Sequence, residues 1–106
     1  MLIKQKSSFI WILDKNIPLL ETTEEEKNIS KSLKSNQSFR FLLSRGYARK
    51  LISNLFDIRP LDLPLNALPG KPPILPKNFG NISISHCVDK ILIAWSVFPI
   101  GIDIER

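Results

Sequence analysis

A chain of 106 residues with 15 Lys and Arg against 10 Asp and Glu, a formal net charge of +5, holds one domain at most and favours anionic partners without naming one. A hydrophobic fraction of 43% and a charged fraction of 24% are ordinary for a globular domain with a modest core. The single cysteine, Cys87, excludes an internal disulfide framework and fits a reducing compartment, and no apolar run nears the roughly 20 residues of a membrane helix.

Lys4 and Lys6 precede the apolar run Phe9–Leu13, but that run is shorter than a signal-peptide core, ends at Asp14 and is followed by no small-residue cleavage site. The expectation is a cytoplasmic protein with no membrane partner. Phe9–Leu13, aromatic and β-branched, reads as a buried strand closed by Asp14-Lys15-Asn16 and Pro18. Thr23-Glu24-Glu25-Glu26 is a capping box: the Thr23 hydroxyl accepts from the amide three residues on, and Glu26 reaches back. A short helix is expected from there to about Lys34, with Ile29 and Leu33 toward the core, interrupted by Ser35-Asn36-Gln37-Ser38.

Phe39–Phe56 is predicted to be the longest helix, with Phe41, Ala48, Leu51, Ile52 and Leu55 as its apolar positions. Arg45 and Arg49 lie one turn apart on one face, where like charges repel by a few tenths of a kcal/mol. They either fan into water, the commoner outcome for such a pair, or meet an anion. Gly46 inside this helix costs about 1 kcal/mol relative to Ala, which marks a close approach. From Asp57 to Gly80, Pro60, Pro64, Pro69, Pro72, Pro73 and Pro76 exclude regular structure over most of the stretch. Long loops of this kind are often functional. Here Leu68-Pro69-Gly70-Lys71-Pro72 offers a close backbone approach at Gly70 and a cation at Lys71, a weak phosphate-site signal; no Walker-type or dinucleotide glycine motif is present.

Ile82–His86 alternates as a strand, Lys90–Val97 reads as a second, and Val88-Asp89 as the turn between them. Pro99 leads into a terminal strand, Ile100 to Glu105, so the C-terminal third is expected to be a three-stranded antiparallel meander. The fold class is α+β, an antiparallel sheet packed against the long helix.

In the terminal strand Asp103 and Glu105 share one face, about 6–7 Å apart at the backbone. They are either a solvated acidic edge, the commoner case, or a pair of ligands for a hard cation such as Mg²⁺. Adjacent strand residues point to opposite faces, which argues against a His86–Cys87 catalytic dyad, and one histidine with one cysteine is too few for a zinc site. Ser85 and His86 at a strand end are phosphate-type donors, as are Arg45 and Lys71. Together with the two carboxylates they suggest a metal-bound pyrophosphate and therefore phosphoryl or phosphopantetheinyl transfer. A small basic nucleic-acid-binding domain is the rival class; here Lys and Arg are dispersed, with no interleaved aromatics.

The order Arg45, Gly70-Lys71-Pro72, Ile84-Ser85-His86 and Gly101-Ile102-Asp103-Ile104-Glu105 resembles the 4′-phosphopantetheinyl transferase superfamily, in particular its two-lobed, surfactin-type class. The resemblance covers about Arg40 to Arg106. It implies transfer of phosphopantetheine from coenzyme A to a serine of an apo acyl or peptidyl carrier protein, releasing adenosine 3′,5′-bisphosphate. It further implies coenzyme A contacts at Arg45, Gly70, Lys71, Pro72, Ser85 and His86, and Mg²⁺ at Asp103 and Glu105. Cys87 stands where the family pattern has a second serine. The family's later W-x-x-K-E-A helix, which supplies a third acid or base and a lysine, has no match, since neither Trp11 nor Trp95 precedes a Lys-Glu pair. On this resemblance residues 1–98 are the first lobe and 99–106 the opening strand of a second. The implied alternatives to a working transferase are a truncated or split-gene fragment that at most binds coenzyme A, or one that acts with a separate second-lobe chain.

Overall fold

Three β-strands and two α-helices are set out in the computed structural model, which describes residues 8–66 and 71–98. The strands are β1 (Ser8–Asp14), β2 (Asn81–His86) and β3 (Lys90–Ser96), and the helices α1 (Glu24–Lys31) and α2 (Ser35–Phe56). The class is α+β, with an antiparallel sheet in the order β1-β3-β2. No helix among the described residues is long and apolar enough to cross a membrane.

The sheet corrects one expectation. Strand β3 is central and both its edges are taken, so the third strand is β1 rather than the terminal segment. Residues 99–106 lie outside the described residues. The register shows why β1 fits: Phe9, Trp11 and Leu13 stand opposite Trp95, Ile93 and Ile91, and Ile82, Ile84 and His86 stand opposite the same three from the other side. Alternation puts all nine on one face. That face packs on α2 through Trp95, whose ring meets Phe56 edge-on at 5.8 Å and whose indole N–H donates to the Phe79 carbonyl at 2.7 Å. Gly80 makes this possible: at φ 84 it adopts a conformation other residues avoid, and an added Cβ would lie 2.6 Å from the Trp95 Nε1.

Helix α1 opens on the expected capping box, with the Glu26 amide donating to Thr23 Oγ1 at 3.1 Å and the Thr23 amide to Glu26 Oε1 at 2.9 Å. It stops at Lys31, earlier than expected, and α2 begins at Ser35, so Ser35 to Ser38 form its first turn instead of a break. The interruption falls at Leu33-Lys34: Lys34 is extended, and its carbonyl already accepts from the Ser38 amide at 2.7 Å. Gly46 meets the close approach anticipated for it, since a Cβ there would sit 3.2 Å from the Leu20 backbone oxygen. The fully buried apolar residues of α2 are Leu43, Ala48 and Ile52; Phe41, Leu51 and Leu55 are only partly covered.

Burial on α2 extends to Arg45 and Arg49, so neither fans into water, and the anion that Arg49 meets is the carboxylate of Glu26. The Arg49 Nε donates to Glu26 Oε1 at 2.8 Å, Nη1 to the carbonyls of Leu63 at 2.7 Å and Pro60 at 3.2 Å, and Nη2 to that of Leu65 at 3.4 Å. Arg45 Nη1 donates to the Asn66 carbonyl at 2.6 Å. The proline-rich stretch is therefore tied to α2 and less irregular than its prolines suggest. It makes 3-10 turns at Pro60–Asp62 and Lys77–Phe79 and a bridge between Asn66 and Ile74. Leu63, Leu65 and Leu75 join the core from it.

Removing one member of a buried pair strands the other charge, so Arg49→Met should lower stability by about 3–5 kcal/mol. In urea unfolding the double variant Glu26→Leu/Arg49→Met should lose less than the two single variants summed, because no isolated charge is left buried.

Candidate functional site

The first three turns of α2 present Gln37, Arg40, Phe41 and Ser44 at helical spacing, with Arg45 beside them. Across from this stripe, Ile84 and His86 project from the same face of β2. Lys71 and Pro73 close the third side. Together with Leu33 these residues line a groove of about 320 Å³. No carboxylate is among them.

Three of the residues singled out in the sequence converge here: Arg45, Lys71 and His86. Pro72 lies next door, in a depression between the loop and Ile82, Ser83 and Ile84. Ser85 is on the opposite sheet face from His86, paired with Leu92, and does not line the groove. Gly70, Asp103 and Glu105 fall outside the described residues, so the candidate Mg²⁺ ligands have no described position. Among the described residues no cluster of three or more His, Cys, Asp or Glu is placed to hold a metal. Arg40 and Phe41 were not singled out as site residues. Their spacing from Gln37 and Ser44 carries a periodic signal, but nothing local tells a groove wall from a solvated face.

The cations differ in how free they are. Arg45 is 4% exposed, its Nη1 is held by the Asn66 carbonyl, and its guanidinium sits 4.8 Å from the centre of the Phe41 ring. Burial pushes its pKa down; the Glu26 carboxylate works against that and Arg49 reinforces it. Lys71 is exposed and Arg40 half-buried. They are the groove's solvent-facing positive charges, and Arg45 is a cationic part of its wall.

His86 is held toward its neutral form. Burial lowers its pKa most, followed by the charges of Arg40 and Lys15. Lys15 reaches this corner because its ammonium donates to the carbonyls of Cys87 at 2.7 Å and Val88 at 3.1 Å, capping the β2–β3 turn. The His86 Nδ1 is buried with no hydrogen-bond partner among the described residues. A neutral imidazole protonated on Nε2 tolerates this arrangement, whereas an imidazolium would bury an unpaired N–H.

The chemistry of such a groove is anion binding beside an apolar and aromatic wall. The division of labour among its cations is testable by stability. Arg45→Ala should cost about 1.5–3 kcal/mol in urea unfolding, the range for hydrogen bonds to charged groups, whereas Lys71→Ala should stay within about 0.5 kcal/mol of the parent.

No protein-family model, curated protein or solved structure matches this chain.

Proposed function

We propose that the groove binds the phosphate-bearing nucleotide end of coenzyme A, and that the chain is the first lobe of a 4′-phosphopantetheinyl transferase acting in the cytoplasm. One observation carries the reading. Arg45, Lys71 and His86, far apart in sequence and each matching a coenzyme A contact of the superfamily, line one groove together with a further cation, Arg40. Charged donors around an apolar wall suit a ligand with phosphates at one end and a flat base at the other.

In this reading Lys71 and Arg40 hold phosphate oxygens as mobile cations, Arg45 fixes the wall and its positive potential, and His86 donates from Nε2. Phe41 offers apolar surface to the base. The Oγ of a carrier-protein serine displaces adenosine 3′,5′-bisphosphate from the pyrophosphate of coenzyme A: a new serine O–P bond forms, the bridging P–O bond breaks, and the serine proton leaves. Fixed positive charge beside the departing bisphosphate favours that displacement electrostatically. Asp103 and Glu105 are the residues that would hold Mg²⁺, which supplies charge neutralisation at the pyrophosphate when bound. The general base and the family's lysine have no counterpart in this sequence. A chain that binds coenzyme A without transferring it, or transfers only with a separate second-lobe chain, is the companion reading.

Calorimetry with coenzyme A, with and without Mg²⁺, should show binding that weakens by about tenfold or more in Lys71→Ala and Arg40→Ala, as expected for the loss of a charged hydrogen bond. Incubation with coenzyme A, Mg²⁺ and an apo carrier protein, followed by mass spectrometry of the carrier, then separates the two readings. A phosphopantetheine adduct supports transfer, and binding without an adduct supports the binding-only chain. Absence of coenzyme A binding overturns both.

A further inference from the structure

We propose that the groove takes up its anion together with a proton, carried by His86. This rests on the reading above that the groove is an anion site, and it adds how that site responds to pH.

The charges that act on the His86 imidazole are those of Arg40 on α2 and Lys15 after β1; Arg45 and Lys71 line the same groove, and the cross-strand neighbour on β3 is Ile91. The nearby acids are engaged elsewhere: Glu26 with Arg49, and Asp14 with Lys90. Asp89 is exposed in the β2–β3 turn. A proton on His86 in the empty groove would thus join several cations with no carboxylate among the described lining residues, and would leave the buried Nδ1–H without an acceptor. Both effects keep the empty groove's histidine neutral. A bound dianion reverses the first of these, because it cancels the field of Arg40 and gains a further cation when the ring protonates.

The sign follows from linkage. If the anion raises the His86 midpoint, affinity is fully present below the free midpoint, falls as pH rises through the window between the free and bound midpoints, and is constant above it. Phosphate monoesters titrate near pH 6, at about their second pKa, so inorganic sulfate, whose charge is fixed over this range, is the cleaner probe.

His86 is the only histidine in the chain, so its ring Cε1–H resonance reports a single titration. Saturating sulfate should raise that midpoint by about one unit, and sulfate should bind about tenfold more weakly near pH 8 than near pH 5. His86→Gln should bind sulfate with a flat pH profile. Sulfate binding with an unmoved midpoint, or a pH slope that survives in His86→Gln, overturns this inference and leaves the anion site standing. Failure of both sulfate and coenzyme A to bind at any of these pH values overturns the anion site and this inference together.

Discussion

The guanidinium of Arg49 is the interaction on which the remaining structure depends. It is nearly excluded from solvent, and it joins the only buried carboxylate among the described residues to three carbonyls of a chain segment that lacks regular structure. A loop rich in proline has few amides to satisfy its own carbonyls, and an arginine fork inside the domain supplies the missing donors. Glu26 plays two parts at once, closing the N-terminus of α1 and neutralising Arg49 with the same oxygen. Thus α1, α2 and the segment 60–65 meet at one charged centre.

The groove inherits its shape from that centre. With Arg49 anchoring residues 60–65, Arg45 one turn earlier holds Asn66, and the bridge from Asn66 to Ile74 brings the returning strand of the loop back beside β2. This chain of tethers sets Lys71 and Pro73 beside α2. The two arginines that resemble a ligand-binding pair in the sequence are thus mainly builders. Among the described residues the charges left for a ligand are Arg40 and Lys71, one on the helix and one on the loop.

What the sequence revealed was local. The capping box at Thr23 is readable because both of its hydrogen bonds close within three residues, and β2 because alternation needs no partner to be visible; β3 shows only as the apolar run Ile91–Trp95. The α+β class and the long helix followed from these patterns. What stayed hidden depends on partners distant in sequence. The carbonyls that bury Arg45 and Arg49 carry no side-chain signature, so the pair looked solvated or ligand-bound. The pairing of β1 with β3 is set by a shared apolar face across most of the chain, and a meander was the simpler expectation. For the site, the residues His86, Lys71 and Arg45 were legible as chemistry, and the separation of Ser85 from His86 follows from strand alternation alone, but the convergence of the three on one groove needs the folded chain.

The central place of β3 also governs the order in which the fold can form. Asp14 and Lys90, paired at one end of the β1–β3 ladder, stand 76 residues apart. A ribosome adding roughly 5–20 residues per second takes about 4–15 s to bridge those 76 residues. During that time Phe9 and Trp11, which in the finished sheet face Trp95 and Ile93, have no strand to pair with, while Ile10 and Ile12 on the other face remain 65% exposed even afterwards. Pairing so distant in sequence also makes for slow closure. An apolar strand that must wait for its neighbour is a nascent-chain hazard, and the speed of translation past Lys90 sets how long it lasts.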